Sequence, residues 1–155
     1  MSEVIEWEDH EKIFERSKER MKLALKDASL YLQQLVDEKG FFTQKDVDEA
    51  MSTFVEIRTD TVEKAVRSAF HLVQGEVAFL SANDSDYIIA ETVRNKRPFI
   101  WYELEIFGNS LSIWWKLSNS NKTGRKYIVD PDYRSICDAG KDILKEVTDE
   151  RPETD

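Results

Sequence analysis

The residues best suited to hold a ligand are rings interleaved with cations. Trp101, Trp114 and Lys116 fall within twenty residues of each other, and Arg94, Lys96, Arg97, Arg125 and Lys126 flank them. Between residues 87 and 127 there are seven basic side chains against three acidic ones, and eight of the chain's aromatics. This window carries +4, which leaves −13 for the rest of a chain whose net charge is −9. Rings that stack on bases beside cations that meet phosphates suit single-stranded nucleic acid or a nucleotide. Two other readings compete. Helices could cover both faces of the segment and make the tryptophans core, or Trp101 over Lys116 could be a cross-strand cation–π pair with no ligand.

Glu103 and Glu105 are two apart in the same segment. In a strand they share a face roughly 7 Å apart, a spacing usable for acid–base work in a hydrolase or for a divalent ion. No third group of fitting type accompanies them, and an acidic patch on a half-wet strand is the simpler reading. The basic run Arg94, Lys96, Arg97 reads as a turn that could grip phosphate or an acidic partner. Gly124, Arg125 and Lys126 lack the glycine spacing of a phosphate-binding loop. His10, His71 and the single Cys137 form no triad by spacing, and they are too few for a metal site of their own. No catalytic residue, cofactor or metal is therefore assigned.

These side chains depend on a hairpin for their placement. Ile100, Tyr102, Leu104 and Ile106 alternate with less apolar positions, Gly108 and Asn109 form a turn, and Leu111, Ile113, Trp115 and Leu117 resume the alternation. A two-residue loop pairs positions whose numbers sum to 217 and sets all eight apolar residues on one face. A slip of one residue would turn one strand over. The same register places Trp101 opposite Lys116 and Glu103 opposite Trp114 on the other face. Residues 125–130 read as a further strand.

Helices precede this hairpin. Phe14, Met21, Leu25, Ala28, Leu32 and Leu35 mark the apolar stripe of a first helix over about residues 9–37, stopped by Gly40. Thr43 caps a second helix, with Asp46 in its first turn and a stripe of Val47, Ala50, Met51, Phe54 and Ile57. A third starts near Thr59 or Thr61 and turns Val62, Ala65, Val66, Ala69 and Val73 inward. Val77 and Leu80 could extend it beyond Gly75. Residues 83–86 break the chain, and residues 87–94 suit either a strand or a short helix capped by Ser85 or Asp86. Pro131 and Asp132 open a last helix carrying Ile136, Gly140, Ile143, Leu144 and Val147. Helices, then a meander, then a helix is an α+β pattern. The expectation is one domain of 155 residues: a three-helix layer over about 9–81, an antiparallel meander of three to four strands over about 86–130, a helix over about 132–148, and an acidic tail at 149–155.

Composition narrows the function. Thirty-one acidic against 22 basic residues argue against a coat for duplex DNA or anionic lipid. No apolar run reaches the length of a membrane span, and the acidic N-terminal segment does not resemble a signal peptide, so a cytoplasmic setting is expected. The leading expectation is a small acidic interaction protein, whether inhibitor, immunity-type or adaptor, acting on a protein partner. A single-stranded nucleic-acid or nucleotide module on the hairpin face is the alternative. The first helix, roughly 43 Å long at 1.5 Å per residue, is long for such a chain and could form a homodimer seam.

Overall fold

The computed structural model describes residues 2–148, with side chains from Asp9 onward. The expected acidic tail lies outside the described residues. The chain is α+β and divides into two units, one up to Ala65 and one from Val66 onward.

The first unit holds α1 (Ser2–Lys39) and most of α2 (Gln44–Val73), joined through residues 40–43. Phe14, Ala28 and Leu35 of α1 are buried, and Met21 and Leu32 are half-buried, as their helical spacing requires. Leu25 departs from this stripe and is exposed. The start of α2 is a reciprocal cap. Asp46 N–H donates to Thr43 Oγ1 (3.2 Å), and Thr43 N–H donates to an Asp46 carboxylate oxygen (2.9 Å). The bond from the Thr43 backbone N–H, aided by the Thr43 side chain, holds the Asp46 carboxyl below the usual carboxylate range.

The expected three-helix layer is two helices. The second and third merge into α2, which runs unbroken through Thr59, Asp60 and Thr61. Threonine and aspartate there resemble a cap, but neither glycine nor proline enforces a break. Thr61 itself is buried in phase with Val62 and Ala65, and Asp60 pairs with Lys64 (3.1 Å) across the anticipated boundary.

In the second unit, α2 ends at Val73 and is followed by β1 (Ala78–Leu80), α3 (Asp86–Arg94), β2 (Phe99–Phe107), β3 (Ser110–Leu117), β4 (Thr123–Val129) and α4 (Tyr133–Thr148). Residues 78–80 are thus a strand and not a continuation of the helix. The sheet order is β1-β2-β3-β4, with β1 parallel to β2 and the other neighbours antiparallel. A parallel pair needs a crossover, which α3 supplies. The segment 87–94 is helical because Ser85 Oγ accepts from Ile88 N–H (3.2 Å), a cap that prevails over the strand preference of Ile88, Ile89 and Val93.

The hairpin register agrees with the expected one at every rung. Ile106 pairs with Leu111, Leu104 with Ile113, Tyr102 with Trp115 and Ile100 with Leu117. Gly108, at φ +59°, occupies the first central position of the turn, where a type II′ turn needs a positive φ. The face carrying these residues is the buried one. Phe70, Phe79 and Tyr102 form an aromatic cluster on it, with Phe70 centred 4.3 Å from Phe79 and 5.0 Å from Tyr102. The inward residues of α4, Tyr133, Ile136, Cys137, Gly140, Ile143 and Val147, are buried as well. Tyr133 is tied to α2 through a 2.7 Å hydroxyl–hydroxyl bond to Ser68.

Candidate functional site

The opposite face of the sheet is open at β3 and β4. Three strands fix its rungs: Trp101, Lys116 and Thr123; Glu103, Trp114 and Arg125; Glu105, Ser112 and Tyr127; Phe107, Ser110 and Val129. Trp114 is 47% exposed, Tyr127 58% and Phe107 83%.

Arg125 organises this face. Its guanidinium lies 5.0 Å from the Trp114 ring centre and 5.3 Å from that of Tyr127. Its Nη2 and Nε both donate to Ser112 Oγ, at 2.9 and 3.3 Å. Ser112 is buried, so its hydroxyl is shielded from water and serves as a tether for the cation. The Tyr127 hydroxyl is fixed by Ser110 Oγ at 2.8 Å. The result is an amphipathic surface of two rings with a cation in contact with both. Gly124 permits the strand to pass Trp115 on the other side of the sheet. A Cβ there would lie 2.6 Å from the Trp115 indole, so any larger residue would disturb the β3–β4 ladder beside Arg125.

The structure brings together some of the expected residues and separates others. Trp101, Trp114, Lys116 and Arg125 share the open face, although Trp101 is only half-exposed and its Nε1 donates to Glu103 at 3.4 Å. Lys116 stands opposite Trp101 as expected, but the cation on an indole is Arg125 on Trp114. Lys126 belongs to the other face. It pairs with Ile113 in register and reaches Glu146 of α4 at 3.1 Å. Arg94 is bonded to Glu91 within α3. Lys96 and Arg97 are exposed in the α3–β2 turn, beyond the Phe99 end of β2. Along the strand that end is roughly 13 Å from the Glu103 rung, at 3.3 Å per residue.

Tyr127, Ser112 and Phe107 complete the face and were not among the expected site residues. The alternation of Arg125, Tyr127 and Val129 was the signal that could have identified Tyr127. Glu103 and Glu105 are both exposed on the open face beside Lys116 and Arg125, so the charges there balance. Among the described residues no three His, Cys, Asp or Glu side chains gather as metal ligands would. Cys137 is buried in α4, and His71 is exposed on α2. The open face therefore offers contact area and a placed cation. No described nucleophile–base pair belongs to it.

No protein-family model, curated protein or solved structure matches this chain.

Proposed function

We propose that this chain is a small acidic interaction protein, of the inhibitor, immunity or adaptor kind, that binds a protein partner through the open face of its sheet. The observation that carries the reading is the Trp114–Arg125–Tyr127 arrangement, exposed and already ordered. Trp, Tyr and Arg are the residue types that dominate binding energy at protein interfaces. Holding them on a hydrogen-bonded sheet lowers the entropy lost on binding. The charges favour a protein over a polyanion, since Glu103 and Glu105 would face any phosphate chain laid across the rings. A fitting partner presents an apolar patch to Trp114 and Tyr127, a carboxylate to Arg125, and a basic group to the two glutamates.

Single-stranded nucleic acid is the second reading, favoured by two exposed rings beside a cation. Tryptophan fluorescence separates the two. Titration with short DNA and RNA strands at low salt gives no saturable quench if the partner is a protein, and a salt-sensitive quench if the face reads nucleic acid.

Self-association through α1 belongs to the same proposal, because α1 leaves Ile13, Leu23 and Leu30 exposed. A cytoplasmic setting also belongs to it; the buried, unbridged Cys137 fits such a setting. No helix among the described residues is long and apolar enough to cross a membrane.

A further inference from the structure

In the first unit, α1 and α2 line an open groove of about 470 Å³. Its α1 wall carries Arg20, Leu23, Ala24, Asp27 and Tyr31, and Ala50, Thr53 and Ile57 face them from α2. The small residues Ala24, Ala28 and Ala50 keep the groove clear, while Leu23 stands 61% exposed at its edge. A large exposed leucine beside small side chains is the pairing that knobs-into-holes packing uses. Nothing in this unit fills the groove.

The charges on this wall suggest what does. Arg20 and Asp27 are one heptad apart on the same helical face, with Leu23 and Ala24 between them. Among the described residues neither has an ion-pair partner. A second α1 laid antiparallel, with its two-fold axis between Leu23 and Ala24, pairs positions whose numbers sum to 47. Arg20 then meets the partner's Asp27, Asp27 meets the partner's Arg20, and Leu23 meets the partner's Ala24. The next turn outward sets Arg16 against the partner's Tyr31. An isologous interface requires such self-complementarity, and each favourable pair occurs twice. We infer that the groove is a homodimer interface in which Leu23 of each copy enters the groove of the other, in this register. The inference deepens the self-association reading above and does not depend on the sheet face.

It differs from a seam along the Phe14–Met21 stripe, which the sequence suggests. Phe14 is buried within the single chain, so that stripe is not free to pair.

Light scattering after size exclusion, together with sedimentation of the full chain, tests the inference. The wild type is expected at twice the 18.1 kDa chain mass, dissociating on dilution. Leu23→Glu, at a site too exposed to affect the fold, is expected to give monomer. Arg20→Asp alone and Asp27→Arg alone each set like charges together twice per dimer and weaken it by roughly 10-fold or more. The double variant Arg20→Asp/Asp27→Arg restores both pairs with their signs exchanged and returns the dimer to within roughly 3-fold of wild type, the non-additivity that a direct pairing requires. Circular dichroism checks that helix content is unchanged. A wild type that stays monomeric at every concentration overturns both the self-association reading and the groove. A dimer unaffected by Leu23→Glu and by both charge reversals overturns the groove and leaves self-association to another face.

Discussion

The guanidinium of Arg125 lies 5.0 Å from the centre of the Trp114 ring, directly across the β3–β4 ladder, and is tethered to the buried Ser112 hydroxyl below. Because the contact is solvent-exposed, it adds only about 0.5–1 kcal/mol to folding, whereas such a cluster can dominate a protein interface. Arg125→Ala is therefore expected to lower urea-unfolding stability by about 1–2 kcal/mol, part of it from the buried Ser112 hydroxyl losing its bonded partner. Arg125→Lys keeps the charge but loses the planar, two-nitrogen contact with Ser112 and recovers only part of the loss. Equal stability of all three proteins would show that the arrangement contributes nothing to the fold.

Lys96 adopts φ +55° just after α3, where Lys96 N–H bonds Val93 O and Arg97 N–H bonds Thr92 O, both at 3.0–3.1 Å. This pattern of helix termination favours glycine at the left-handed position. Lys96→Gly is expected to raise stability by about 1 kcal/mol, the steric cost of a side chain in that region. Chemical denaturation checks the sign, and a destabilised variant would mean that the lysine side chain itself stabilises the turn.

Asp84 is buried between β1 and α3. Its carboxylate accepts from Ser81 N–H at 2.7 Å and faces Arg67 at 3.5 Å. Asp84→Ala leaves the Ser81 N–H without an acceptor in a buried turn and is expected to cost about 1–3 kcal/mol. Asp84→Asn retains an acceptor and is expected to lose less. The two urea midpoints, measured side by side, test this order.

Asp46 provides a pH dependence with a definite sign. Its folded pKa lies below the ordinary value because Thr43 bonds its carboxylate. The stabilisation is fully present above the unfolded pKa and is lost as pH falls through the lowered folded pKa. Amide exchange at the start of α2 is therefore expected to accelerate in acid beyond its intrinsic pH trend. Asp46→Asn removes that extra dependence, and an unchanged acid response in this variant would assign it to another group.

The hairpin could be read from the sequence because three constraints agree. Its loop has two residues, its turn begins with Gly108, and eight apolar residues share one parity, so a single register satisfies them all. Neither glycine nor proline separates Ile57 from Val62, and the continuous apolar phase of α2 outweighs the cap-like Thr59–Asp60–Thr61 sequence. With three residues, β1 is too short to show alternation, and each of its parallel register partners lies 21 positions away. The site was legible in part. Arg125 and Lys126 are neighbours in the basic run of the sequence, but adjacent strand residues point to opposite faces. The pairing of Lys126 with Ile113 puts it on the α4 side, while Tyr127 joins Arg125 on the open side. The Leu23 groove stayed hidden because Leu23 lies outside the main stripe of α1 and gains its meaning from residues of α2.

The most direct test of the interaction face is quantitative affinity capture from cells that make the protein, with wild type, Trp114→Ala and the exposed α4 control Lys141→Ala in parallel. A partner retained by wild type and by the control, then purified and titrated, is expected to bind Trp114→Ala at least roughly 30-fold more weakly, the factor for an interface residue contributing about 2 kcal/mol. Equal affinity of the purified partner for wild type and Trp114→Ala, with both variants folded, would contradict the assignment of this face.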